Sequence, residues 1–179
     1  MTESSPSLQV RSGAVFDLLE PNFMDVDIRD IAFSLSRLCR FTGHSSEFYS
    51  VAQHCIQVSF IVPKKLALQG LLHDASEAYI GDVSQPLKRA LGRLAPGALP
   101  IIEDRIHAAI AAKFRTQWPH DPRVKDADLR ALATEVRDLM PAAAYWDEQQ
   151  LPEPLPLTIT PFSPKDAEKK YLERFREVS

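Results

Sequence analysis

The stretch Leu71-Leu72-His73-Asp74-Ala75-Ser76-Glu77 decides how this chain is read. Ala67, Leu71, Leu72 and Ala75 recur at helical spacing around the adjacent histidine and aspartate, so Leu66 to Tyr79 reads as one central helix. An ionised carboxylate on so apolar a helix is costly to bury alone, and Asp74 therefore calls for a compensating partner. A divalent cation is one such partner, and imidazole with carboxylate suits Zn, Mn, Fe or Co. Glu77 follows Asp74 by three residues and His73 by four, which places all three on one helix face. A carboxylate there can handle the protons of a water activated by the ion. The plainer reading is a solvated His-Asp pair at a helix end. The hydrophobic setting and the ligand-type residues found elsewhere argue against it.

Working upstream, a helix is expected from Ser46 to Ile61, with Val51, His54, Cys55, Val58 and Ile61 in one stripe. A lone histidine on an apolar face usually just packs. His54, however, lies one helix before the His-Asp pair, and short connections make consecutive helices neighbours. His44, in the preceding loop, is the other candidate for a first ligand or a pocket residue. Further back, Asp27 can cap a helix that starts near Ile28, buries Ile31, Ala32, Leu35 and Leu38, and ends at Arg37 and Arg40.

Working downstream, Gly81 to Lys88 reads as a loop leading to a short helix, and 92–100 as a second loop. Ile101 to Phe114 is an amphipathic helix whose His107 packs or faces solvent. His120-Asp121 lies between Pro119 and Pro122, outside any helix interior, and makes a poor chelate. Lys125 to Met140 is a helix with Leu129, Leu132, Val136 and Leu139 toward the core. Asp128 opens its first turn, where an acid also suits the helix dipole.

The chain has 179 residues, 45% hydrophobic and 25% charged, which suits one domain with a sizeable core. A net charge of -3 without a long basic run argues against duplex nucleic acid as a partner, while leaving room for small anionic substrates. Cys39 and Cys55 form no CxxC pair and are expected as reduced thiols in a cytoplasmic protein. There is no signal-peptide core and no apolar run of membrane-spanning length, so no membrane association is expected. Residues 1–12 read as a flexible lead-in and 13–179 as the domain. Six prolines make 141–164 a surface wrap, with weak strand signal at Leu155 to Ile159, before a last helix over 164–177. The expected fold is all-α, a single-domain helical bundle.

His54, then His73-Asp74, then Asp128, each on its own predicted helix, resembles the HD-domain metal-dependent phosphohydrolases. Within that superfamily, His73 to Asp82 (HDASEAYIGD) followed by Gln85-Pro86-Leu87-Lys88 looks like the bacterial 5'-deoxynucleotidases and the related phage dATP triphosphohydrolases. Phe16-Asp17-Leu18-Leu19, Leu35 to Phe41 (LSRLCRF) and Tyr49 to His54 (YSVAQH) resemble the compact phage-type group. The likeness runs over roughly residues 13–177 with its motifs in order.

The resemblance implies that His54, His73, Asp74 and Asp128 hold one divalent metal (Co, Mn, Zn or Mg), with Glu77 as the catalytic acid that orients or deprotonates the attacking water. It implies that Asp82 receives the sugar 3'-hydroxyl, and that Arg40 and Phe41 stand where the family has an arginine for phosphate and a tryptophan against deoxyribose. Phenylalanine is smaller than tryptophan, so selection against a 2'-hydroxyl is expected to be less strict. Lys88 is placed to offset phosphate charge. The N-terminal segment around Phe16 is a candidate for reading the base, and a homo-oligomer is implied. Other branches fit less well. Glu77 is followed by alanine rather than the second acid of the alarmone hydrolases' HDxxED, and the Gly-Tyr-Pro signature of the cyclic-dinucleotide branch is absent. Two-metal members carry two more histidines, for which only His107 and His120 are candidates, so one metal is expected. The expected activity is hydrolysis of a nucleoside 5'-phosphate or triphosphate at the 5'-oxygen–phosphorus bond. The alternative is a non-catalytic nucleotide-binding regulatory protein.

Overall fold

The structure is a computed structural model that describes residues 5–142 and 144–179. In chain order it comprises strands β1 (Ser7–Gln9) and β2 (Val15–Asp17) and helices α1 (Ile28–Leu35), α2 (Val51–Ile61), α3 (Ala67–Leu72) and α4 (Glu77–Ile80). Helices α5 (Gln85–Leu94), α6 (Ala98–Phe114), α7 (Pro122–Leu139), α8 (Ala144–Asp147) and α9 (Pro164–Val178) follow. The fold is all-α with one small antiparallel hairpin, in which Leu8 pairs with Phe16. No helix among the described residues is long and apolar enough to cross a membrane.

Local chemistry starts the principal helices. The side chains of Asp27, Ser50, Asp121 and Ser163 each accept a backbone N–H from two or three residues further on. That satisfies a donor the first helical turn would otherwise leave orphaned. Pro122 and Pro164 stand in the first turns of α7 and α9, where a missing N–H costs nothing.

Helix α2 is the hub. Val51, Ala52 and Cys55 join Ile31, Leu35, Leu71, Leu72, Ile106, Ile110 and Tyr171 in the main core. Val58 and Val62 meet Val124, Ala127 and Ala131 of α7 in a second cluster. Small side chains at Ala127 and Ala131 let α7 come close to α2. Helix α9 closes the other side: the Tyr171 hydroxyl donates to the Leu71 carbonyl at 2.9 Å, and Arg174 donates to the hydroxyl and carbonyl of Ser59.

Several sequence expectations are corrected. The central helix expected over Leu66 to Tyr79 is broken: α3 stops at Leu72 and α4 begins at Glu77. Between them the amides of Ala75 and Glu77 bond three residues back, to Leu72 and Asp74, which tightens the chain into consecutive turns and leaves the Gly70 carbonyl to the His73 side chain. The helix expected from Ser46 begins only at Val51, because residue 50 forms a bridge with Cys39 and caps α2. Helix α7 starts at Pro122, so Asp128 lies in its second turn rather than its first. Its buried face runs through Val124, Ala127, Ala131, Glu135 and Leu139, while Leu129, Leu132 and Val136 are only half-buried. Of the lead-in, residues 7–9 form β1, and 1–4 lie outside the described residues. Leu155 to Ile159 forms no strand. It is held instead by side chains: Leu155 N–H donates to Thr134 Oγ1, Ile159 N–H to Asp138, and Arg137 donates to the carbonyls of Leu155 and Leu157. Gln53 pins the wrap further along, donating to the Thr160 carbonyl and accepting from the Phe162 amide. The C-terminal helix over 164–177 matches α9.

Candidate metal centre and adjoining pocket

The break after α3 builds one half of the site. With the helix ended, the Gly70 carbonyl has no amide four residues on, and His73 Nδ1–H donates to it at 2.9 Å. His54, fully buried on α2, donates Nδ1–H to Glu135 Oε1 of α7 at 2.6 Å. Both imidazoles are thereby held as the tautomer whose Nε2 carries a lone pair, and the two Nε2 atoms face each other 3.2 Å apart.

Two carboxylates close the cluster. Asp74 Oδ2 lies 3.2 Å from His73 Nε2 and 3.6 Å from His54 Nε2. Asp128 Oδ1, on α7, lies 3.2 Å from His54 Nε2 and 4.0 Å from His73 Nε2. His54, His73 and Asp74 form a buried group with the spacing to hold a metal ion. Ligand atoms about 2.1 Å from one ion stand roughly 3–3.5 Å from each other when adjacent; three of the separations here are 3.2 Å and the other two are 3.6 and 4.0 Å. Lone pairs of His54, His73 and Asp74 gathered this closely repel unless positive charge sits among them, so the donor set fits a metal ion, with Asp128 flanking it. Hydrogen bonds from each imidazole to an oxygen behind it are the usual support for metal-ligating histidines.

The electrostatics point the same way. Burial and the Arg40 guanidinium oppose protonation of His54, but Glu135 and Asp128 outweigh them and hold its pKa up to about 9. For His73, burial is outweighed chiefly by Asp74, again giving about 9. Burial works against ionisation of Asp74 and Asp128, yet the two histidines keep both carboxyls below their usual range. The cluster draws positive charge to its centre, as protons or as a metal.

Of the other residues singled out by sequence, Arg40 reaches Asp74, and Glu77 and Lys88 share a pocket with Asp74. Arg40 is largely buried. Its guanidinium binds Glu135 Oε2 through Nε (3.1 Å) and one terminal nitrogen (3.0 Å), and its other terminal nitrogen lies 3.6 Å from Asp74. Glu77 is buried and its Oε2 has no hydrogen-bond partner among the described residues. Burial, then the charges of Asp74 and Asp82, push its carboxyl well above the usual range. Glu77 and Asp74 line a pocket of about 240 Å³ together with Ser76, Lys88, Glu103, Asp104, His107 and Trp118. Lys88 is paired with Glu103 at 2.8 Å. Asp82 is half-buried, its pKa raised by burial and by Asp74 against the pull of Arg40.

Phe41 is half-buried and meets the Trp146 ring edge-on at 5.9 Å. It and Thr42 both have φ near +55°, a costly backbone for such residues that holds the turn after Arg40 in one shape. His44 is exposed and outside the cluster. Phe16 is fully buried and stacked on Tyr79 at 3.8 Å, so it is a core residue without access to a base. His107 and Trp118 form part of the pocket wall, and His120 packs edge-on against both. The His107 ring stacks on Trp118 at 4.1 Å, and its Nε2 lies 3.0 Å from Ser76 Oγ.

Glu135 and Tyr49 escaped the sequence reading. Glu135 lies seven residues after Asp128 with Ala131 between them, which places all three on one helix face. An acid in line with small buried residues and a candidate ligand was the available signal.

No family model matches the chain. The Escherichia coli (strain K12) protein named "Uncharacterized protein YfdR" is 40% identical over 170 residues, covering 94% of this chain and 93% of that protein. The Rhodobacter capsulatus "Uncharacterized protein RCAP_rcc00048" is 35% identical over 112 residues, 58% of this chain and 55% of that protein. With the likeness to YfdR running almost end to end, this chain belongs to the YfdR family.

Proposed function

We propose that the protein is a metal-dependent phosphohydrolase that cleaves the bond between the 5'-oxygen and the α-phosphorus of (deoxy)nucleotides, releasing nucleoside. One observation carries the reading. His54, His73, Asp74 and Asp128 cluster beside a buried carboxylate, Glu77, whose Oε2 has no hydrogen-bond partner among the described residues and which lines a pocket. A cation held by the four would offset charge on a phosphate oxygen and lower the pKa of a water.

The chain's own groups supply the rest. Glu77, beside Asp74 in the pocket, orients the attacking water and takes its proton. As the water oxygen bonds phosphorus, the bond to the 5'-oxygen breaks, and that oxygen gains the proton Glu77 received. Arg40 turns one terminal nitrogen toward the centre and offers charge to the phosphate, and Lys88 does so from the pocket. Asp82 accepts a sugar hydroxyl, and Phe41 against Trp146 gives the sugar an apolar edge.

The pocket's charge favours the monophosphate. Among the described residues that line it, Asp74, Glu77, Glu103 and Asp104 outnumber one cationic side chain, Lys88, which is already paired with Glu103. A bare triphosphate tail meets repulsion there that a monoester avoids.

The test is chromatographic product analysis after incubating protein loaded with Mn, Co, Zn or Mg with dAMP, dATP, AMP and ATP. Deoxyadenosine from dAMP, at a higher kcat/KM than from dATP, is expected. Intact tripolyphosphate released preferentially from dATP would reverse the tail assignment. No product from any nucleotide would leave a nucleotide-binding protein as the reading.

A further inference from the structure

We infer that Glu135 is the positioning residue of this centre: it orients His54 as a ligand and fixes Arg40 beside the same ion site. The inference rests on reading the His-Asp cluster as a metal centre. Glu135 and His54 are both fully buried, and a carboxylate in such a place is costly unless its oxygens are satisfied. Three partners do so. Oε1 accepts from His54 Nδ1–H at 2.6 Å and from the Tyr49 hydroxyl at 3.0 Å, and Oε2 takes the Arg40 guanidinium at 3.0 and 3.1 Å.

The two histidines are supported differently, and the difference shows what Glu135 adds. His73 Nδ1–H rests on a neutral carbonyl, that of Gly70, which is enough to set its tautomer. His54 rests on a full charge. A carboxylate behind an imidazole also makes the opposite nitrogen a stronger donor, so His54 Nε2 is the better ligand of the two. Glu135 commits two of Arg40's nitrogens and turns the third toward Asp74. One buried carboxylate thus sets both a ligand on α2 and the cation that flanks it. Glu135 and Asp128 share a helix face, so α7 delivers a ligand and the support for another ligand together.

The probe is cobalt(II) alone, titrated into metal-free full-length protein and followed by calorimetry and by visible ligand-field absorption, with far-UV circular dichroism to check folding. Glu135→Gln keeps the shape and an acceptor but removes the charge. It is expected to weaken cobalt(II) binding 10–100-fold and alter the absorption band while retaining the wild-type helical spectrum. Tyr49→Phe removes one of the bonds that orient the carboxylate and is expected to weaken binding severalfold. A folded Glu135→Gln protein with wild-type affinity and absorption would overturn the inference. If that variant does not fold, an unchanged affinity in Tyr49→Phe overturns it instead. Absence of cobalt(II) binding by the wild type would remove the metal-centre reading, and the inference with it.

Discussion

Gly70→Ala probes how closely the site depends on helix spacing. A Cβ at Gly70 would stand 3.0 Å from Ser59 Cα, 3.0 Å from Val62 Cγ2 and 3.2 Å from Ser59 N. Two of these are backbone atoms of α2 and cannot swing aside. Ordinary carbon–carbon contact lies at about 3.5–4.0 Å, so α3 must retreat from α2 by roughly half an ångström. Overpacking of this kind costs about 1–3 kcal/mol, against a gain of about 1 kcal/mol from replacing glycine inside a helix. The net expectation is a loss on the order of 1 kcal/mol.

The effect on the centre is larger than the effect on the fold. The Gly70 carbonyl holds His73 Nδ1, so the retreat of α3 carries His73 Nε2 away from His54 Nε2, now 3.2 Å distant. Ligand distances tolerate only about ±0.2 Å, and cobalt(II) affinity is expected to fall by about tenfold or more. Urea unfolding measures the first quantity and calorimetric titration the second. Gly92→Ala is the control, because a Cβ there meets nothing within 4 Å and α5 should gain slightly in stability. A Gly70→Ala protein with stability and affinity at or above wild type would refute the argument that this close approach sets the ligand spacing.

Two further outcomes are expected. Glu77→Gln should bind cobalt(II) as the wild type does while turnover drops by about 10²–10⁴-fold, the usual share of a positioned acid or base; wild-type turnover would remove Glu77 from the chemistry. Acid lability should trace in part to His107, whose pKa is pushed down from 6.5 to about 3, first by burial and then by neighbouring His120. A base with a depressed native pKa is protonated first in the unfolded chain, so stability is lost as pH falls from about 6.5 toward 3. At pH 5 the loss is about 2 kcal/mol. Urea unfolding at pH 7 and pH 5 should show a smaller pH effect in His107→Gln, and an equal effect in both proteins would contradict the assignment.

Much of the helical framework was legible before any coordinates. Asp27 and Ser163 announce α1 and α9 by capping chemistry, and Ile31, Ala32 and Leu35 trace a buried face by spacing alone. His54, His73 and Asp74 were legible as residue types, because a histidine or an acid inside an apolar stripe needs a reason to be there. Asp128 by itself reads as an acid suiting a helix dipole, and joined the set only through the family resemblance. Three things were not legible. Periodicity continued straight through His73 to Ser76, where the structure breaks the helix and spends the freed Gly70 carbonyl on His73.

On α7, hydropathy drew the eye to Leu129, Leu132 and Val136, whereas the buried face is the one bearing Ala127, Ala131 and Glu135. Helix α7 turns that face inward because small side chains let it approach α2 closely, and the approach brings Asp128 and Glu135 to His54. Arg40, read as a hand for phosphate, also serves as the counter-charge of Glu135. The sequence by itself determined which segments leave water, since capping and amphipathic spacing act over a few residues. Only the tertiary structure decided which buried acid meets which imidazole, because that depends on how closely α2, α3 and α7 approach, and no local pattern encodes that distance.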